Sequence, residues 1–189
     1  MRRTSRRGAG IVGREVRGRA ELRRGRDTGP GRRYGVPMAA HVSVRTEIAA
    51  PPEVVWELVA DLTRMHEWSP ENDTVVWLKG ATGATPGATF KGTNRAGTKK
   101  WSTRGRIVES EPGRFLSFRV SAVGMKVARW SYRFDAVEGG CVVTETWDDE
   151  RGGLINLAGR VVSGVSDRET HNRAGMEETL RRLKVAAEA

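Results

Sequence analysis

From His41 to Ile48 apolar and polar residues alternate over eight positions, the period of a strand with one buried face. Ala49-Ala50-Pro51-Pro52-Glu53 follows, with prolines where a first helical turn tolerates them and an acid at the positive end of the helix. Val55, Leu58, Val59 and Leu62 then recur at helical spacing, and a second short helical stretch is predicted from Thr63 to Trp68, ended by Ser69-Pro70. Beyond residue 73 the pattern changes to strand after strand. Six more are read at 73–79, 88–95, 99–110, 114–121, 126–135 and 141–149, with connections such as Ala96-Gly97-Thr98 and Glu138-Gly139-Gly140. Turns this short make the sheet antiparallel, and the fold class α+β.

Residues 150–165 scatter Leu154, Ile155, Leu157, Val161, Val162 and Val165 among glycines and polar residues, which predicts a short helix or lid. Ser166-Asp167-Arg168-Glu169 has the S-x-x-E spacing of a capping box, so a last helix is predicted from 167 to about 187. Its apolar face carries Asn172, Met176, Thr179, Leu183 and Ala186, with Leu180 at the margin.

Composition divides the chain in two. It has 189 residues, 38% of them hydrophobic, with six Trp, enough large apolar side chains for one ordinary core. The formal charge of +10 is concentrated at the start: residues 1–37 hold twelve Arg against three acids, and the remainder is nearly neutral. Residues 1–37 therefore read as a disordered Arg-rich extension, and residues 40–187 as the folded domain. Met38 directly precedes the domain and offers a second initiation point. Only the extension suggests a nucleic-acid partner, and without periodicity it is read as an unstructured tail instead.

Arg2-Arg3 and Arg6-Arg7 resemble an export signal, but only Ile11-Val12 stands where an apolar core should follow, so neither export nor membrane insertion is expected. Cys141 is the single cysteine, which excludes an internal disulfide and a Cys-based zinc site and fits a cytoplasmic location. Its apolar surroundings make it a small strand hydrophobe. No metal and no cofactor are expected. H-E-x-x-H, G-x-S-x-G and a G-x-G-x-x-G leading into a helix are all missing, and the Gly-rich stretch 80–87 lacks the Lys-Ser/Thr of a phosphate loop.

Several segments carry a resemblance: Ile48-Ala49-Ala50-Pro51-Pro52-Glu53-Val54-Val55-Trp56, Asp61 to Pro70, Phe90-Lys91-Gly92-Thr93-Asn94-Arg95, Val108 to Phe115, Val143-Thr144-Glu145-Thr146-Trp147 and His171 to Met176. In this order and spacing, over residues 41–187, the chain resembles the START-like (SRPBCC) superfamily of the birch-pollen allergen and the polyketide cyclase/dehydrase and lipid-transport families. The resemblance implies a helix-grip fold, a curved seven-stranded antiparallel sheet wrapped around the long C-terminal helix, with two short helices after the first strand and an apolar cavity inside. That superfamily spans cyclases, hydrolases, carriers and receptors, so the fold does not fix the chemistry.

Alternation assigns the faces, because residues two apart on a strand point the same way. Val76 and Leu78, Phe90 and Gly92, Trp101, Thr103 and Ile107, Leu116 and Phe118, Trp130, Tyr132 and Phe134, and Val143 and Trp147 are expected to face inward. Most of these would simply be core. The informative positions are polar residues on those faces: Glu145 between Val143 and Trp147, Asn94 beyond Phe90 and Gly92, Asn172 on the last helix, and the Tyr132 hydroxyl. Trp68, at the cavity mouth in the resembling proteins, and Met176 complete the expected lining. His41, His66 and His171 read as surface histidines. Two functions remain open. One is a binder of a hydrophobic lipid or polyketide-like molecule; the other is a polyketide cyclase or dehydratase with Glu145 as general acid or base. Oligomeric state is not legible.

Overall fold

The structure, a computed structural model, describes residues 41–152 and 162–189. The Arg-rich extension and the predicted lid residues Leu154, Ile155, Leu157 and Val161 lie outside these residues. Seven strands form one antiparallel sheet: β1 (His41–Ile48), β2 (Asn72–Leu78), β3 (Thr89–Ala96), β4 (Lys99–Glu111), β5 (Phe115–Ala122), β6 (Met125–Val137) and β7 (Gly140–Asp149). Their order is β1-β7-β6-β5-β4-β3-β2, so sequence neighbours pair everywhere except at β1, which closes against β7. The crossing from β1 to β2 at the opposite edge is made by helix α1 (Pro52–Ala60), a 3₁₀ turn (Leu62–Arg64) and helix α2 (Met65–Trp68). Helix α3 (Arg168–Ala187) packs on β1 and β7 and touches both shorter helices. The elements are those the hydrophobic pattern predicts, and their arrangement is the helix grip that the resemblance implies.

The core lies between the sheet and the helices. Ile48, Val55, Val59, Leu62, Trp68, Ile107, Leu116, Val143, Leu180 and Leu183 are almost wholly excluded from solvent. A second cluster joins Val42, Ala128, Trp147 and Met176. At about 25 cal/mol per Å² of apolar surface, each such side chain contributes roughly 1.5–3 kcal/mol when withdrawn from water. Buried Thr179 satisfies its hydroxyl within the helix, donating to the Gly175 carbonyl at 2.8 Å.

Three sequence expectations are corrected. On β2 the buried residue is Val75, with Trp77 packed edge-on against Phe90, while Val76 is 52% exposed. Four consecutive apolar residues, Val75 to Leu78, leave alternation without a polar face to choose by, and the choice falls to the ring that fits Phe90. At the start of α3 the cap is Asp167, not Ser166: its carboxylate accepts the Thr170 N–H at 3.1 Å, and that backbone hydrogen bond is the main cause lowering its pKa. At the other end Ala186 is exposed and Ala187 packs on the core, while Leu180 is fully buried rather than marginal.

Candidate functional site

Register places the polar candidates on the concave wall. In the β6–β7 ladder Trp130 lies opposite Trp147, Tyr132 opposite Glu145 and Phe134 opposite Val143, three rows of one inward face. The row through Trp130 continues to Phe118 and Ile107 on β5 and β4. Trp130 and Trp147 stand 6.5 Å apart by ring centroids, and Phe90 meets Phe118 edge-on at 5.5 Å.

In this apolar wall Glu145 is only 2% exposed. The Tyr132 hydroxyl donates to its Oε1 at 2.7 Å, and Oε2 has no partner among the described residues. Desolvation dominates and pushes the Glu145 carboxyl up to about 8, against the opposing pull of the Tyr132 hydrogen bond. Tyr132 is raised well above its ordinary value, first by burial and then by the neighbouring carboxylate. At neutral pH the pair is therefore mostly a carboxylic acid beside a phenol, with one acid oxygen unpartnered among the described residues.

A second polar group lies toward the other edge of the sheet. The Asn72 amide donates to Asn94 Oδ1, and the Asn94 amide donates to Thr103 Oγ1, each at 3.4 Å. Asn72 Oδ1 is buried and unpartnered among the described residues, as is the indole N–H of Trp68, whose ring carries the Arg64 guanidinium at 5.1 Å. Trp101 sits opposite Asn94 across the ladder, half-buried, with Arg168 over its ring at 5.6 Å. Arg168 holds both oxygens of Glu71, at 2.9 and 2.8 Å, and His171 Nε2 lies 2.7 Å from Glu71 Oε2. These contacts tie the first turn of α3 to the junction of α2 and β2. His171 lies at the surface, as expected, but is also engaged with Glu71. His66 is exposed, with Nδ1 at 3.1 Å from the Thr63 carbonyl, and His41 meets Asp148.

The sequence-predicted residues fall into three groups. Phe90, Phe118, Tyr132, Glu145, Trp130, Trp147 and Met176 converge on the concave wall beside α3, with Asn172 buried one helical turn before Met176. Asn94, Thr103 and Trp101 form the more polar end, and Trp68 is entirely within the core. Sequence reading missed Asn72, Glu71 and Arg168. A register shift between Asn72 and Thr74 breaks the alternation that would have shown Asn72 facing Asn94, and Glu71 lies about a hundred residues from its partners. It also missed that Asp149 is buried and held by Arg151, whose guanidinium lies 5.9 Å from the Trp147 ring centroid. A cleft of about 390 Å³ beside Leu78, Lys79, Thr85 and Arg106 shares no residue with the concave wall and brings none of these polar groups together. Among the described residues no cluster of His, Cys, Asp and Glu could hold a metal ion, and no helix is long and apolar enough to cross a membrane.

Comparison with known proteins agrees with this architecture. No curated protein matches the chain. Among solved structures it is similar to a polyketide-cyclase-like protein of Corynebacterium glutamicum, at 27% identity and TM-score 0.52, over 80% of this chain and 91% of that one. It shares the fold of a Chromobacterium violaceum protein at 16% identity and TM-score 0.60, over 79% of this chain and 99% of that one. It also shares the fold of a major latex-like protein of Panax ginseng, at 14% identity and TM-score 0.62, over 80% and 99%. The family model described as polyketide cyclase / dehydrase and lipid transport matches residues 39–188, and the chain belongs to that family within the START-like helix-grip superfamily.

Proposed function

We propose that residues 40–187 bind a small hydrophobic ligand, of lipid or polyketide-like class, between the concave face of the sheet and α3. The observation that carries this reading is Glu145: a buried acid on an aromatic wall, with one oxygen on Tyr132 and the other unpartnered among the described residues. A buried polar atom without a partner costs about 1–3 kcal/mol, and a guest with a carbonyl or hydroxyl would relieve that cost while the aromatic rings take up its apolar body. Family membership supports the same reading at a coarser level.

A matched pair of probes tests it. Fluorene and fluorenone differ by one carbonyl, and both are expected to bind with micromolar affinity and alter tryptophan emission. Fluorenone should bind about 3–10-fold tighter, the equivalent of one net hydrogen bond, and Glu145→Leu should erase that preference. Binding of neither probe would count against the cavity itself; equal binding of both would count against Glu145 as the anchor.

The second reading, cyclase or dehydratase, draws on the same carboxyl, since an acid titrating near 8 can give or take a proton at neutral pH. Under that reading Glu145→Gln would lower turnover of an accepted substrate by about 100-fold or more.

A further inference from the structure

The outer, convex face of the sheet carries a charge arrangement that ligand binding does not explain. Lys91 on β3 lies directly opposite Arg104 on β4, Arg104 lies opposite Ser121 on β5, and Ser121 opposite Lys126 on β6. In the next row Arg106 lies opposite Arg119, and Arg119 opposite Arg129. Like charges placed directly across a ladder destabilise it, so these rows carry a penalty that the fold does not require. Arg119 and Arg129 offset theirs through Glu150 and Glu109. Lys91, Arg104, Arg106 and Lys126 are all exposed and have no acidic partner among the described residues.

A separate feature stands beside these rows. The β5–β6 turn is Val123-Gly124, and Val123 is 95% exposed with φ of 51°, a conformation that β-branched residues avoid and that Asn or Gly would adopt without strain. Met125 beside it is 47% exposed, and Lys126 follows directly. Val76, 52% exposed, stands opposite Lys91 at the far side of the basic rows. A strained apolar tip next to unpaired cations fits one kind of partner: a surface that takes up apolar side chains and presents negative charge around them. Nucleic acid fits less well, because no aromatic ring stands within the basic rows on which a base could stack, and Phe115, farther along β5, is half-buried with the Arg133 guanidinium over its ring.

We propose that this face docks on the surface of an anionic phospholipid bilayer, with Val123 and Met125 entering the interface and Lys91, Arg104, Arg106 and Lys126 meeting headgroups. The docking is peripheral and does not depend on what the concave face binds.

The test uses the full chain, with an environment-sensitive NBD fluorophore on Val123→Cys; Cys141 is buried, and the unsubstituted protein controls for its labelling. Vesicles of phosphatidylcholine with about 30% phosphatidylglycerol, at about 0.1 M salt, are expected to shift NBD emission to the blue, and vesicles of phosphatidylcholine alone are not. Arg104→Glu combined with Lys126→Glu should lower partitioning onto the anionic vesicles by about tenfold or more. Val123→Gly should weaken it too, while raising the melting temperature by relieving the turn. Three results would each overturn the proposal: no sedimentation with anionic vesicles, sedimentation with NBD still in water as when the Arg-rich segment alone binds, or an NBD response to an RNA or DNA duplex but not to vesicles.

Discussion

Glu145→Gln is expected to stabilise the protein at alkaline pH and to leave it nearly unchanged at pH 5. The Glu145 carboxyl, with an ordinary value of 4.5, is held at about 8 in the folded chain by desolvation. Between those values the folded state keeps a proton that the unfolded state has released, so stability falls as pH rises through that window and levels off above it. At about 1.4 kcal/mol per pKa unit, the loss amounts to roughly 3–5 kcal/mol by pH 8.5. Gln has no charge to bury and keeps an oxygen to accept the Tyr132 hydroxyl. The variant should therefore melt about 6–20 °C above the parent at pH 8.5 and within about 3 °C of it at pH 5, at 2–4 °C per kcal/mol for a chain of this size. Melting curves that keep a constant separation at both pH values would show that Glu145 is not ionising inside the wall.

Gly105→Ala is expected to damage the sheet strongly through a single added methyl. Gly105 lies opposite Phe90 in the β3–β4 ladder, and the Phe90 ring rests on its backbone: a Cβ there would overlap ring carbons Cε1, Cε2 and Cζ. Phe90 cannot shift freely, because Trp77 meets it edge-on at 5.9 Å and Phe118 at 5.5 Å. The strain would spread into the aromatic wall, costing about 1–3 kcal/mol and about 2–12 °C in melting temperature. Gly92→Ala is the contrast, since its Cβ would meet Thr103 Oγ1 at 3.4 Å, an ordinary contact, and should change stability by less than about 1 kcal/mol. Equal behaviour of the two variants, followed by thermal unfolding, would contradict the packing described for Phe90.

The contrast shows which information the sequence carries. Glu145 was legible because Cys141, Val143 and Trp147 alternate with polar residues cleanly enough to fix a single face for β7. Tyr132 was legible as an inward residue, but its bond to Glu145 depends on the β6–β7 register, which alternation does not give. The strand boundaries were readable because Gly and charged residues mark nearly every turn. On β2, where apolar residues run together and a bulge follows Asn72, the face was misread and Asn72 was missed. The Glu71, Arg168 and His171 contacts join residues about a hundred apart, and no local pattern predicts such a meeting. Gly105 reads like any other strand glycine until Phe90 is seen lying across it.

The claim that the concave wall is a ligand site is tested most directly by NMR of the protein with bound fluorenone. The account predicts intermolecular NOEs from the probe to the Trp130 and Trp147 indoles and to the Tyr132 ring, together with a change at the Glu145 carboxyl carbon. NOEs confined to exposed apolar residues such as Val123 or Val185, with those interior signals unmoved, would contradict it.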